Sequence, residues 1–187
     1  DPKNYNAPEG SYSTDPYNPE ARIREFKEMV RGLHRNGIRV IMDVVYNHTF
    51  VGDGSNFSLT VPGYFYRHKP DGRYWAEEYH VDGFRFDLMG IHDVETMNEV
   101  KAELAKLDPS IFVYGEGWTA SDSPLPEDQR AIKVNAPKLN DVAVFSDDLR
   151  DALKGSVFET TQAGFASGKP EGNEESIKFG IVGAIRH

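Results

Sequence analysis

The sequence predicts an α/β chain that folds as part of a (β/α)8 TIM barrel. Two observations lead there. Apolar, β-branched runs alternate with segments of helical period, the pattern of parallel βαβ units. Residues able to do chemistry stand at the C-terminal ends of the strands, the functional rim of such a barrel. An open doubly wound sheet is the alternative, but no G-x-G-x-x-G follows any strand.

Taken in order, residues 1–17 read as loop, with Pro, Gly, Asn and Ser. A helix follows. Asn18 is a good N-cap, Pro19 suits the first helical position, and Glu20 complements the dipole. Ile23, Phe26, Val30 and Leu33 recur at helical spacing, and Asn36-Gly37 is a stop. Ile38 to Val45 is a nearly unbroken apolar run, expected to be a strand buried on both faces. Val81 to Leu88 reads as the next strand. Asp93 caps a helix with Val94, Met97, Val100, Leu104 and Leu107 on its apolar face. Ile111 to Tyr114 and Val142 to Phe145 are further strands. Ser146, Asp147 and Asp148 open a further helix, with Leu149 and Leu153, that stops at Gly155. Glu171 to Glu175 reads as a solvated acidic loop.

About four strands in 187 residues fall short of a full barrel of about 250 residues, so the chain is expected to be a fragment of one catalytic barrel, truncated at both ends. Residues 49–74 read as an inserted loop region, Gly- and Pro-rich and without helical period. Only Trp75 to His80 separate it from the Val81 strand, whereas a parallel crossover needs about a dozen residues. A missing segment is therefore expected between Tyr74 and Trp75.

Composition narrows the function. The net charge of −9, from 21 Lys and Arg against 30 Asp and Glu, disfavours nucleic acid and anionic membranes as partners. The absence of cysteine excludes disulfides, thiolate metal sites and cysteine nucleophiles. No apolar run approaches the ~20 residues of a membrane span, and no leader is visible. There is no H-E-x-x-H, P-loop or EF-hand loop, and no metal-ligand set is predicted. His34, His68, His80 and His187 read as isolated surface residues, and His92-Asp93 as a helix start rather than a dyad.

Three strand ends carry candidate chemistry. In Asp82-Gly-Phe-Arg-Phe-Asp87, period-2 alternation puts Arg85 and Asp87 on one face and Phe84, Phe86 and Leu88 on the other. A guanidinium beside Asp87 would keep it ionised, as a nucleophile requires; the same pair also reads as a structural ion pair. In Tyr114-Gly-Glu-Gly-Trp118, the glycines flanking Glu116 let a ligand or another backbone come close. The apolar face of Trp118 would raise Glu116 toward the range of a general acid, although a loop Glu beside a core Trp gives the same pattern. In Asp43-Val-Val-Tyr-Asn-His48, an apolar strand ends in Asp, Asn and His; His48 could bond a sugar hydroxyl, or merely satisfy a turn. Singly each motif is weak; together they bring polar groups from three consecutive strands to one rim. Two carboxylates on adjacent strands are the pair used in glycoside hydrolysis, about 5–5.5 Å apart for retention and 6.5–9.5 Å for inversion.

These segments resemble the first three conserved regions of the α-amylase superfamily of glycoside hydrolases, at the ends of the third, fourth and fifth barrel strands. Tyr5-Asn-Ala-Pro-Glu-Gly-Ser-Tyr-Ser-Thr14, Phe86-Asp-Leu-Met-Gly90 and Val144-Phe-Ser-Asp-Asp148 resemble bacterial type I pullulanases. The fragment then covers approximately strands 3 to 6 with their helices. The resemblance implies hydrolysis of α-1,6 branch linkages in pullulan, amylopectin or related α-glucans, with retention. Asp87 would be the nucleophile and Glu116 the general acid/base. Arg85 would hold Asp87 ionised, His48 would bind substrate, Trp118 would shape neighbouring subsites, and Asp43 and Asn47 would order the rim. No cofactor is required, and calcium near Asn47 is compatible with the family. The resemblance also favours a monomer in the full-length form, and a bacterial extracellular, cell-surface or periplasmic location over a cytoplasmic one. The family's fourth region, with a third catalytic Asp, does not occur before His187, so this polypeptide alone is expected to be inactive or nearly so. The competing readings are an α-1,4-acting amylase or glucanotransferase of the same superfamily, and a non-catalytic glucan-binding domain. Leu-Met-Gly after Asp87 argues against the first, and the retention of both carboxylates against the second.

Overall fold

A computed structural model describes residues 3–51, 54–61, 80–120, 123 and 125–184. The expected gap at Tyr74 and Trp75 lies outside these residues, as do His68, His187 and most of the 49–74 insertion. The core of the fold is a parallel sheet of four strands in the order β1-β2-β3-β4. The strands are β1 Ile41–Val44, β2 Gly83–Phe86, β3 Phe112–Gly115 and β4 Ala143–Val144. The helices are α1 Pro19–Arg35, α2 Asn56–Thr60, α3 Val94–Leu107, α4 Asp147–Lys154 and α5 Glu174–Ile181.

The local signals act as their chemistry dictates. Asn18 accepts from the N–H groups of Glu20 and Ala21, and Pro19 occupies the first turn of α1. The Asp93 carboxylate accepts from Thr96 N at 2.6 Å and Thr96 Oγ1 at 2.8 Å, starting α3. Gly37 and Gly155, which follow α1 and α4, have φ of 72° and 105°, a region where a Cβ is unfavourable.

Register then sorts the side chains. Asp43, Arg85, Tyr114 and Ala143 lie in one row across the strands, and Ile41, Gly83 and Phe112 in another of the same face. The opposite face carries Val44, Phe84, Phe86 and Val113. These are buried with Val30 of α1 and Met97, Val100 and Leu104 of α3 in one cluster. Helices α1 and α3 thus pack on this face.

The first strand departs from expectation. Ile41 and Ile38 are 43% and 51% exposed; among the described strands β1 has β2 as its one neighbour, and Val30 of α1 joins the cluster on the opposite face. Strand β2 also ends earlier than the apolar pattern suggests. Leu88 does not continue the Phe84, Phe86 row; it turns in the left-handed region, and a short 3-10 turn, Met89–Ile91, follows. The acidic 171–175 segment is not all loop, since Glu174 and Glu175 open α5. His34 is not isolated: its Nε2 lies 2.8 Å from Asp82 Oδ2.

Candidate active site

Strands β1, β2 and β3 end side by side, so their C-terminal residues meet. Arg85 is the centre of that meeting. One of its Nη atoms is 2.8 Å from Asp43 Oδ1 and 3.1 Å from Asp87 Oδ1; the other is 2.6 Å from Glu116 Oε1. Asp87 and Glu116 are therefore separated by no more than a guanidinium and its hydrogen bonds. Partial burial opposes the charge on Arg85, but hydrogen bonds to Asp43 and Asp87 and the charges of Asp43 and Glu116 outweigh it, raising its pKa further. The cation is permanent.

The expected division of labour is changed in one respect. Arg85 was assigned to Asp87, and Trp118 to Glu116. The guanidinium instead serves both carboxylates, with its shorter contact to Glu116. A long side chain with a forked head can bridge groups on different strands, which spacing along one strand does not reveal.

Each carboxylate has a second anchor. Asn47 Nδ2 donates to the Asp87 carbonyl at 2.7 Å and stands 3.5 Å from Asp87 Oδ2. The Leu88 N–H donates to Glu116 Oε2 at 2.9 Å. Both oxygens of Glu116 thus accept hydrogen bonds. His48 is exposed on the rim; its Nδ1 lies against Asn47 Oδ1, and its carbonyl accepts from the Tyr5 hydroxyl at 2.7 Å.

The two glycines beside Glu116 are required by neighbouring protein. A Cβ on Gly115 would stand 2.6 Å from the Phe86 carbonyl oxygen and 2.8 Å from Met89 Cβ. On Gly117 it would stand 2.9 Å from Lys133 N. Of the two approaches the sequence allowed, the backbone's is the one seen.

Two contributors escaped the sequence reading. Phe145, just past β4, places its ring 5.7 Å from Arg85 Cζ in a cation–π arrangement. It also packs against Trp118 and Tyr114, with centroids 6.2 and 5.4 Å apart. Its position at a strand end, like those of Asp87 and Glu116, was a usable signal. The Leu88 N–H had none, because a backbone donor leaves no mark on residue type.

Among the described residues no cluster of three or more His, Cys, Asp or Glu is disposed to hold a metal, and Asn47 Oδ1 is turned to His48.

No family model matches the chain. Individual relatives do. It is 40% identical to the pullulanase of Bacillus subtilis (strain 168) over 210 residues, covering 98% of this chain and 29% of that protein. The structure is similar to that of Paenibacillus barengoltzii pullulanase in complex with maltohexaose and α-cyclodextrin. The TM-score is 0.87 and the identity 44%, over 97% of this chain and 32% of that one. It also matches pullulanase from Anoxybacillus sp. LM18-11 complexed with maltotetraose, with a TM-score of 0.86 and 41% identity, over 95% of this chain and 30% of that one. The chain thus spans about a third or less of the length of the relatives it matches. With near-complete coverage of its own residues at this level of identity, the chain belongs to the pullulanase family, matching one segment of those enzymes.

Proposed function

We propose that the whole protein hydrolyses α-1,6-glucosidic branch linkages in pullulan, amylopectin or related α-glucans by a retaining double displacement. The observation that carries this is the single guanidinium joining Asp87 and Glu116 at the ends of adjacent parallel strands. A pair of carboxylates brought together in this way is the equipment of a glycosidase, and a separation of about 5–5.5 Å would make it a retaining one. The binding of maltohexaose, α-cyclodextrin and maltotetraose by the similar pullulanases supports an α-glucan as the ligand.

In the first step Glu116, protonated, gives its proton to the bridging oxygen while Asp87 attacks the anomeric carbon. The bond from that carbon to the bridging oxygen breaks and a glucosyl ester of Asp87 forms. In the second step the Glu116 carboxylate takes a proton from water, whose oxygen attacks the same carbon and releases Asp87. Two inversions give net retention. Arg85 holds both carboxylates at a fixed spacing, and Asn47 holds the chain at Asp87. His48, exposed beside them, contacts substrate hydroxyls. Trp118, backed by Phe145, borders the adjoining subsite. Asp43 shares the charge of Arg85.

The sheet itself is proposed to be an arc of a (β/α)8 barrel. Its strands follow chain order without reversal, whereas a doubly wound sheet reverses at a switch point. Ile41 and Phe112, 43% and 48% exposed on the face opposite the buried cluster, are apolar side chains suited to a barrel interior.

The test uses the protein in its full natural length. Asp87→Asn should abolish turnover of pullulan while leaving maltooligosaccharide binding intact, and the parent should release maltotriose. Undiminished turnover in the variant would remove Asp87 from its role. Products of α-1,4 cleavage would favour an amylase instead.

A further inference from the structure

We infer that Leu88 is a positioning residue for Glu116, its left-handed backbone aiming an N–H at the carboxylate that serves as acid and base; the inference rests on the function proposed above. Leu88 has φ 43° and ψ 47°. Leucine is rarely found there, because its Cβ crowds the following carbonyl, and Gly, Asn and Asp are the usual occupants. Such conformations persist where the surroundings over-determine them, and they gather at functional sites.

The surroundings here are explicit. Immediately before Leu88, the Asp87 N–H is bonded to the Val44 carbonyl at 3.0 Å. Immediately after it, Met89 is fully buried against Gly115. The Gly90 N–H is bonded to the Glu116 backbone carbonyl at 3.0 Å. The chain must pass between these anchors in one residue, and the left-handed step does so. It leaves the Leu88 N–H 2.9 Å from Glu116 Oε2. With Arg85 on Oε1, Glu116 is fixed at both oxygens, one by a side chain and one by the main chain. The turn that carries the nucleophile thereby also orients the acid/base.

If the left-handed step matters, substitutions at Leu88 should rank by their tolerance of that conformation. If Leu88 merely packs, they should rank by apolar size. Valine and asparagine separate the two: valine is apolar but β-branched and excluded from the region, whereas asparagine is polar but tolerates it. In the full natural length, Leu88→Val should lower kcat on pullulan by roughly tenfold to a hundredfold, as expected when an acid is displaced, with little change in KM. Leu88→Asn should recover most of that rate. α-Maltotriosyl fluoride, whose leaving group departs without protonation, should lose much less kcat/KM in Leu88→Val than pullulan does, because kcat/KM reports formation of the glucosyl ester and not the later base step. A separate measurement needs no activity: in the full natural length, Leu88→Gly should melt at a higher temperature than Leu88→Ala, the reverse of the usual order.

An active parent whose valine variant outperforms its asparagine variant, or loses equal kcat/KM on both substrates, overturns the inference while leaving the proposed function standing. A glycine variant that melts below the alanine variant overturns its conformational premise. A parent that hydrolyses neither substrate overturns the proposed function, and this inference with it.

Discussion

Two glycines of ordinary backbone conformation should respond to the same substitution with opposite signs. Gly90 follows the nucleophile in Asp87-Leu-Met-Gly90, and its φ is not positive. Alanine is therefore acceptable to the backbone, and any cost must come from space. A Cβ at Gly90 would lie 2.6 Å from both the carbonyl carbon and the carbonyl oxygen of Trp118, and 2.8 Å from Ile132 Cγ2. Two of these three atoms are main chain and cannot rotate away. Overpacking of this kind costs about 1–3 kcal/mol. Displacing the turn also strains the hydrogen bond from Gly90 N to the Glu116 carbonyl, worth about 0.5–1.5 kcal/mol net. Gly90→Ala should therefore destabilise the chain by about 2–4 kcal/mol. Gly32, on the exposed side of α1, has no heavy atom within 4 Å of the same ideal position. Gly32→Ala should stabilise by about 0.5–1 kcal/mol, through helix propensity alone. Urea unfolding of the two variants beside the parent, followed by circular dichroism, reads both numbers. A Gly90→Ala variant as stable as the parent would show that the turn and the Glu116–Trp118 segment are not in contact, and would dissolve the argument that the nucleophile's turn is docked on the strand bearing the acid.

Further perturbations test other joints of the fold. Asp93→Ala removes the cap of α3 and both bonds to Thr96, and should lower stability by about 1 kcal/mol, seen as a lower urea midpoint with unchanged slope. Asp82 contributes a pH dependence. Burial raises its pKa, but the Val40 N–H at 2.6 Å and His34 at 2.8 Å outweigh this and hold it below the ordinary value. A depressed carboxylate stabilises the fold fully above its unfolded pKa of about 3.9, and that contribution disappears as pH falls through the lower folded value. Thermal melts of Asp82→Asn should therefore fall below those of the parent at neutral pH and converge with them in strong acid; a constant difference at every pH would deny the linkage.

Sequence by itself determined the local elements and the rim. The Asn18 and Asp93 caps, the stops at Gly37 and Gly155 and the apolar period of α3 depend on neighbours within a turn or two, so the chain carries them openly. Strand alternation likewise put Arg85 and Asp87 on one face, and the end of a parallel strand put Glu116 beside them. What only the tertiary structure decided is how groups distant in sequence share partners. That Arg85 serves three carboxylates follows from the registers of β1 and β3 against β2, neither of which is written in any one strand. His34 meets Asp82 across 48 positions, and Phe145 reaches the guanidinium from a fourth strand. The left-handed turn at Leu88 is imposed by anchors on both sides and contradicts its own residue preference. Local preference is a property of the few residues that express it, whereas a contact between strands depends on register, side-chain reach and competing partners, which are fixed only when the sheet assembles.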